Sequence, residues 1–169
     1  MKQHAFVISL VLLAFVPACN GRGSARVRDL LGGDAAYPLI ADGAQTVTAY
    51  RIDGMDRKGK TNGVHGYPML AGPVDVDKTS QRELADVLTS DGTYLWDIAK
   101  ACEFSPGVAI RYEDGGESVD VLLCFSCDEL EVYAGAEKVG HEDFDPRRAD
   151  LVKVAKRLFP NDKQIQGLK

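Results

Sequence analysis

A glycine turn between two alternating segments does most to constrain how this chain folds. Val108, Ile110 and Tyr112 alternate with charged or small residues, which is typical of a strand with one buried face. Residues 114–117 read Asp-Gly-Gly-Glu, and glycine accepts the positive φ angles that tight hairpin turns require. The alternation resumes over residues 119–125. The sequence therefore predicts an antiparallel β-hairpin at the centre of the fold.

The strand after this turn has apolar residues on both of its faces. Leu122 and Cys124 point away from the predicted core, so we expect that second face to be partly covered. A further strand follows around Leu130, where Glu129 and Glu131 are predicted to face water. This part of the chain therefore predicts a sheet with at least one fully buried face.

The remaining segments add strands and helices around this hairpin. Strands are predicted at residues 46–52 and 66–76, the second irregular because it contains two prolines. Helices are predicted over residues 80–91 and 145–160, each opening at a capping side chain, and a short one over 95–102. The expected class is α+β, an antiparallel sheet of about five strands with two or three helices packed on one face.

The amino terminus predicts export. Residues 5–16 are uncharged and almost entirely apolar, but a membrane-spanning helix needs about 20 such residues. The length and order match a secretory signal that is cut after Ala18. Because Cys19 would follow the cut, the segment resembles a bacterial lipoprotein signal, in which that cysteine is acylated. Asn20 then implies sorting to the outer membrane of a two-membrane cell. Ordinary secretion with Cys19 as a free thiol and an uncleaved membrane anchor are the two alternatives.

These features divide the chain into four parts: a signal peptide at residues 1–18, a lipid-attached flexible tether at 19–36, a single α+β domain at 37–160 and a loose tail at 161–169. The tether prediction rests on the low apolar content and the glycines of that stretch. The whole chain has 25 acidic against 20 basic residues, a net charge of −5. Nucleic-acid binding needs a basic surface, so no nucleic-acid partner is expected.

Three further cysteines are the strongest candidates for chemistry. In an oxidising compartment Cys102 could form a disulfide with Cys124 or Cys127. Cys127, at the end of a strand, is the favoured partner, which would leave Cys124 a buried free thiol. Alternatively, the three thiolates with His141 or His65 could form a tetrahedral zinc site. Redox exchange is a third possibility, although acidic residues directly after Cys127 disfavour the thiolate it requires.

The same stretch carries a resemblance. Residues 102–111 begin Cys-x-x-x-Pro, and residues 120–127 end in Cys-Phe-x-Cys. This arrangement resembles a group of uncharacterised bacterial exported proteins and lipoproteins, over roughly residues 67–159. The resemblance implies that the three cysteines act together. It implies no known activity, so no catalytic residue is assigned.

Two classes of function follow. The first is a cell-envelope lipoprotein, held to the membrane through Cys19, that acts as a non-catalytic binding or structural module for an envelope protein or a small ligand. No cofactor is expected for this class. The alternative is a thiol-redox or zinc-binding protein that uses Cys102, Cys124 and Cys127.

Overall fold

In the computed structural model, which describes residues 23–56 and 63–169, the chain is an α+β protein built on one antiparallel sheet. The described residues form seven strands: β1 Thr46–Ile52, β2 Gly63–Val64, β3 Tyr67–Asp75, β4 Val108–Asp114, β5 Glu117–Cys124, β6 Glu129–Ala134 and β7 Glu137–Asp143. Their spatial order is β2-β3-β1-β4-β5-β6-β7. The predicted class and strand direction are confirmed. The strand count of five is too low, because β2 is very short and β7 lacks an alternating apolar pattern.

The described residues also form five helices, where two or three were predicted: α1 Ala25–Leu30, α2 Gly33–Ala41, α3 Lys78–Leu88, α4 Arg148–Leu158 and α5 Lys163–Gln166. All five contribute to one apolar core against the sheet. The core-facing side of the predicted hairpin is the centre of this layer, with Ile110, Val121 and Leu123 almost completely buried. The short helix predicted over residues 95–102 is absent, and the chain there has no regular structure.

The predicted tether is wrong for residues 24–36. Ser24 caps α1, and its side chain accepts a hydrogen bond from the backbone N–H of Val27. Val27 and Leu31 are fully buried, since their spacing places them on one face of the helical turn. Gly32, with φ of +91°, then reverses the chain into α2, where a Cβ atom would lie 2.6 Å from the Cβ of Ala36. Residues 1–22, which include the signal peptide and Cys19, lie outside the described residues.

Two arginines of this segment belong to the fold as well. Arg26 forms an ion pair with Asp97 at 2.6 Å and lies over the ring of Trp96. Arg28 lies over the ring of Tyr37. The sequence suggested a solvated spacer because a short glycine- and arginine-rich stretch has little apolar surface. Packing against the sheet supplies the stabilisation that the segment lacks alone.

The predicted loose tail is also wrong, because residues 161–169 pack on the domain. Asp162 caps α5 by accepting hydrogen bonds from two backbone N–H groups, and Ile165 is 3% exposed. The buried Arg51 side chain donates to Asp162 at 2.9 Å and to the side chain of Gln164. It also donates to the carbonyl of Gly107 at 2.7 Å, so one guanidinium joins β1, the start of β4 and the carboxy-terminal segment.

Candidate functional site

The sheet has one face covered by helices and a second face that carries charged side chains. Cross-strand pairing places Arg111 beside Asp120 and Asp120 beside Tyr133 on this second face. Glu129 and Glu131 lie on the same face of β6. We call this surface, defined by Arg111, Asp120, Glu129, Glu131 and Tyr133, the charged face.

Asp120 is the centre of the charged face and is 1% exposed. Its carboxylate accepts two hydrogen bonds from Arg111, both at 2.8 Å, and a third contact from His65 at 2.7 Å. Burial alone would raise the pKa of Asp120, but the hydrogen bonds from Arg111 and His65 hold it below its ordinary value. The same pairing raises the pKa of Arg111. The cluster therefore consists of a buried carboxylate paired with Arg111 and in contact with His65.

His65 reaches this cluster from the turn between β2 and β3. Its ring stacks on Tyr133, with centroids 3.8 Å apart and an interplanar angle of 16°. A smaller apolar cluster that includes Ile52, Tyr67 and Leu122 lies on the same side of the sheet. The outer face is thus partly covered, as the apolar Leu122 predicted.

The two glutamates of β6 differ from their prediction, because each is only 6% exposed rather than facing water. Glu131 accepts hydrogen bonds from the hydroxyl of Tyr133 at 2.7 Å and from Lys138 at 3.0 Å. Glu129 lies 3.6 Å from His141. Alternation alone identified the correct face of the strand. It could not show that long side chains from β7 and the β2–β3 turn would shield that face from solvent.

The cysteines occupy the end of the β5–β6 hairpin. The sulfur atoms of Cys102 and Cys127 are joined in a disulfide, with Cα atoms 5.9 Å apart. Cys124 is a fully buried free thiol. Its sulfur accepts a hydrogen bond from the backbone N–H of Ser105 at 3.3 Å and lies 3.2 Å from the hydroxyl of Ser126. A thiol in this position is enclosed by protein rather than presented to a substrate.

The candidate zinc ligands do not converge. Among residues 23–56 and 63–169, no group of three or more His, Cys, Asp or Glu side chains is arranged to hold a metal ion. His65 contacts Asp120, and His141 lies against Glu129 and the edge of Phe104, with ring centroids 5.7 Å apart. Two of the three sulfur atoms are bonded to each other.

The disulfide fastens a long irregular segment, residues 95–107, which we call the strap. At its start the backbone N–H of Leu95 donates to the carbonyl of Asp143 at 3.1 Å. Lys100 donates to the carbonyl of Cys127 at 2.7 Å and pairs with Asp143. At its end the N–H of Gly107 donates to the carbonyl of Leu123 at 3.0 Å. The strap is therefore held at several points along the β5–β6 hairpin and at the end of β7, and the disulfide is the covalent attachment.

A groove on the helix-covered side has different chemistry. It has a volume of about 370 Å³ and lies between α2, α3 and the strands β1 and β4. We call it the α2–α3 groove, lined by Ile40, Ala41, Asp42, Gly43, Val47, Lys78, Gln81, Arg82, Ala85 and Tyr112. Its size is within the range of small-molecule sites in proteins.

Tyr112 contributes an unusual group to this groove. The residue is 1% exposed, and its hydroxyl has no hydrogen-bond partner among the described residues. Burial raises the pKa of Tyr112, so the hydroxyl is neutral near pH 7. An unpaired buried hydroxyl costs about 1–3 kcal/mol. The alternating pattern of β4 identified Tyr112 as a core residue. It gave no signal that the hydroxyl would lack a partner.

A second groove of about 490 Å³ lies beside the strap. Its lining includes Arg51, Ser105 and Phe125, together with two exposed apolar side chains, Met55 at 86% and Leu70 at 57% exposure. Arg51 already donates four hydrogen bonds to backbone and side-chain acceptors. This groove therefore offers an apolar surface without an unpaired polar group of the kind found at Tyr112.

No protein-family model, no curated protein and no solved structure matches this chain. Within the described residues, the helices are too short or too polar to cross a bilayer.

Proposed function

We propose that this protein is an exported lipoprotein of the cell envelope, anchored through Cys19, whose domain acts as a non-catalytic binding module. The observation that carries the binding role is the contrast between its two polar regions. The acidic side chains of the charged face are paired within the fold. The α2–α3 groove instead has a buried hydroxyl without a partner. The groove that Tyr112 lines has a volume of about 370 Å³, a size suited to a small ligand.

The cysteine geometry supports export in this proposal. A disulfide such as Cys102–Cys127 persists in oxidising compartments and is rare in a reducing cytosol. Redox exchange by Cys124 would need an accessible thiolate, and that thiol is buried, whereas Cys102 of the disulfide is exposed. The disulfide therefore serves to hold the strap against the hairpin.

The position of α1 has a consequence for a lipid anchor. Only residues 20–23 separate Cys19 from the capping residue Ser24. A fully extended chain advances about 3.3–3.6 Å per residue, so the fold would begin within roughly 17 Å of the lipidated cysteine. A domain anchored this way would remain close to the membrane surface and would meet ligands or partners there.

The anchor is tested by labelling growing cells with a radioactive fatty acid. The wild-type protein should carry label, and Cys19→Ala should carry none. Cys124→Ala is the matched control and should be labelled normally, because its thiol is buried in the domain. An unlabelled wild-type protein recovered from the medium or periplasm would instead support plain secretion.

Counting thiols and metal in the purified, denatured protein tests the proposed state of the cysteines. With Cys19 acylated and Cys102 bonded to Cys127, one thiol should titrate, and reduction should raise the number to three. Stoichiometric zinc with three reduced thiols would favour the zinc-binding alternative. Reduction of a disulfide substrate by the wild type but not by Cys102→Ser would favour the thiol-redox alternative.

A further inference from the structure

Tyr112, whose buried hydroxyl has no partner among the described residues, lines a groove whose walls are mostly apolar. Ile40 and Val47 are nearly completely buried and line it together with Tyr112. Ala85 of α3 adds a small apolar wall on the other side. A ligand in this groove would need an apolar body to match these walls and one hydrogen-bonding group to pair with the hydroxyl.

The rim of the groove carries two cations. Lys78 and Arg82 lie one turn apart on α3, and both are exposed. Lys78 donates to the side chain of Gln81 at 3.0 Å, and Arg82 donates to the carbonyl of Lys78 at 3.2 Å. Neither cation forms an ion pair with a carboxylate of the described residues. In a chain of net charge −5, two cations without an acidic partner at one groove are suited to an anionic ligand group.

Asp42, at the end of α2, is the acidic residue in the lining. It disfavours a densely charged anion such as inorganic phosphate, and the apolar walls give such an ion no contact. A single carboxylate on an apolar body meets both conditions, because its charge can lie at Lys78 and Arg82 while the body enters the groove.

We infer that the α2–α3 groove binds a small organic acid, with its carboxylate at Lys78 and Arg82, an apolar body between Ile40, Val47 and Ala85, and a hydrogen-bonding group paired with Tyr112. This inference rests on the proposed binding function and names the class of ligand. It involves no covalent step.

Titration calorimetry with three related probes tests the ligand class. The protein is the full chain as purified, held in nanodiscs if it is lipid-anchored. 4-Hydroxyphenylacetate has the carboxylate, the ring and the distal hydroxyl, and should bind saturably. Phenylacetate lacks the hydroxyl and should bind about five- to tenfold more weakly. Tyramine has the same ring and hydroxyl but a positive charge, and should not bind. Equal binding of tyramine, or no saturable binding of 4-hydroxyphenylacetate, would overturn the inference.

Variants locate the site. Lys78→Gln combined with Arg82→Gln should weaken 4-hydroxyphenylacetate binding at least tenfold at low salt, with a smaller loss at high salt. Tyr112→Phe should abolish the preference for the hydroxylated probe while leaving the melting temperature unchanged or higher, because the orphaned hydroxyl is removed. Lys153→Gln on α4, outside the groove, is the matched control and should bind normally. Unchanged binding in the Lys78/Arg82 double variant would contradict the site.

A failure of the ligand class can be distinguished from a failure of the proposed function. If fatty-acid labelling at Cys19 succeeds and all three probes fail, the ligand class is wrong and the anchored module stands. If labelling fails but the probes behave as expected, the groove is a ligand site in a protein that is not a lipoprotein.

Discussion

On the helix-covered face of β5, Val121 and Leu123 lie in a continuous apolar core shared with the helices, whereas on the opposite face Asp120 contacts Arg111 and His65. Both faces are buried, and Leu122 on the charged face is as inaccessible as its neighbours. The same strand thus supports two kinds of burial. One depends on apolar area, and the other on pairing each charge with a specific partner.

The comparison shows what each kind of burial can determine. Apolar burial is strong and non-directional, so it stabilises the domain without fixing any single contact. Burying an ion pair gives little net stabilisation, because desolvation offsets much of the attraction. Removing one partner is nevertheless harmful, because the other charge is left uncompensated. The charged face therefore fixes where the β2–β3 turn lies more than it stabilises the whole fold.

The largest loss of stability is expected from a substitution on the helix-covered face of the sheet. Leu123→Ala should lower the free energy of unfolding by about 3–4 kcal/mol, because the residue is 2% exposed in the larger core. Leu122→Ala, in the smaller cluster of the charged face, should lose about 2 kcal/mol, since a smaller cluster can collapse more readily. Urea unfolding measures both. Equal losses would mean that the two faces are packed with the same rigidity.

The next largest loss of stability is expected when the disulfide is removed. Cys102→Ser should lower the free energy of unfolding by about 3 kcal/mol in oxidising buffer, because it opens a loop whose ends are 25 residues apart. Under reductant, the variant and the wild type should differ little. Thermal unfolding in both buffers makes the comparison. An equal difference in both would mean that Cys102 acts through packing or metal binding instead of through a covalent link.

Asp120 tests the charged face directly. Asp120→Asn should lower the free energy of unfolding by about 2 kcal/mol near pH 7, because Arg111 and His65 lose their anionic partner. The folded-state pKa of Asp120 is lowered, so its stabilisation is present above the ordinary carboxyl pKa of about 4. That stabilisation is lost as pH falls through the lowered value.

As the pH falls from 5 to 2, Asp120→Asn should therefore lose less stability than the wild type. Asp86→Asn, an exposed carboxyl on α3, is the matched control and should keep the wild-type pH profile. If Asp120→Asn also kept the pH profile of the wild type, Asp120 would not contribute to the acid dependence of stability.

The smallest effect is expected at the solvent edge of the charged face. Lys138→Gln should change the free energy of unfolding by about 0.5 kcal/mol or less, because the lysine is 48% exposed and solvent screens the pair. Glu131 keeps the hydroxyl of Tyr133 as a donor. Urea unfolding at low and at high salt would check this. A loss above about 1.5 kcal/mol would mean that the edge is less solvated than its exposure indicates.

The sequence predicted those parts of the fold that depend on neighbouring residues. The β4–β5 hairpin could be predicted because its glycine turn and alternation lie within one short segment, and Asp114 pairs with Glu117 as that turn requires. Given this register, the Arg111–Asp120 pair could also have been read from the sequence. His65 could not, because it approaches Asp120 from 55 residues away.

The segments that were missed depend on long-range packing. α1 and α2 have weak local signals, and they are ordered because Val27 and Ile40 are buried in the common core. The α2–α3 groove could not be predicted either, because an unpaired Tyr112 hydroxyl is a property of the assembled fold. For the cysteines, the sequence favoured Cys102 with Cys127, and the structure joins those two sulfur atoms.

Arg51 has a consequence for how this molecule would tolerate proteolysis. Arg51 is 6% exposed, and its guanidinium holds the start of α5 and the start of β4 at the same point. A protease that cut between Phe159 and Asp162 would release both side-chain acceptors and leave a positive charge buried beside backbone carbonyls alone. A cut at that position would therefore also weaken the Gly107 end of the strap, because the same guanidinium donates to the Gly107 carbonyl.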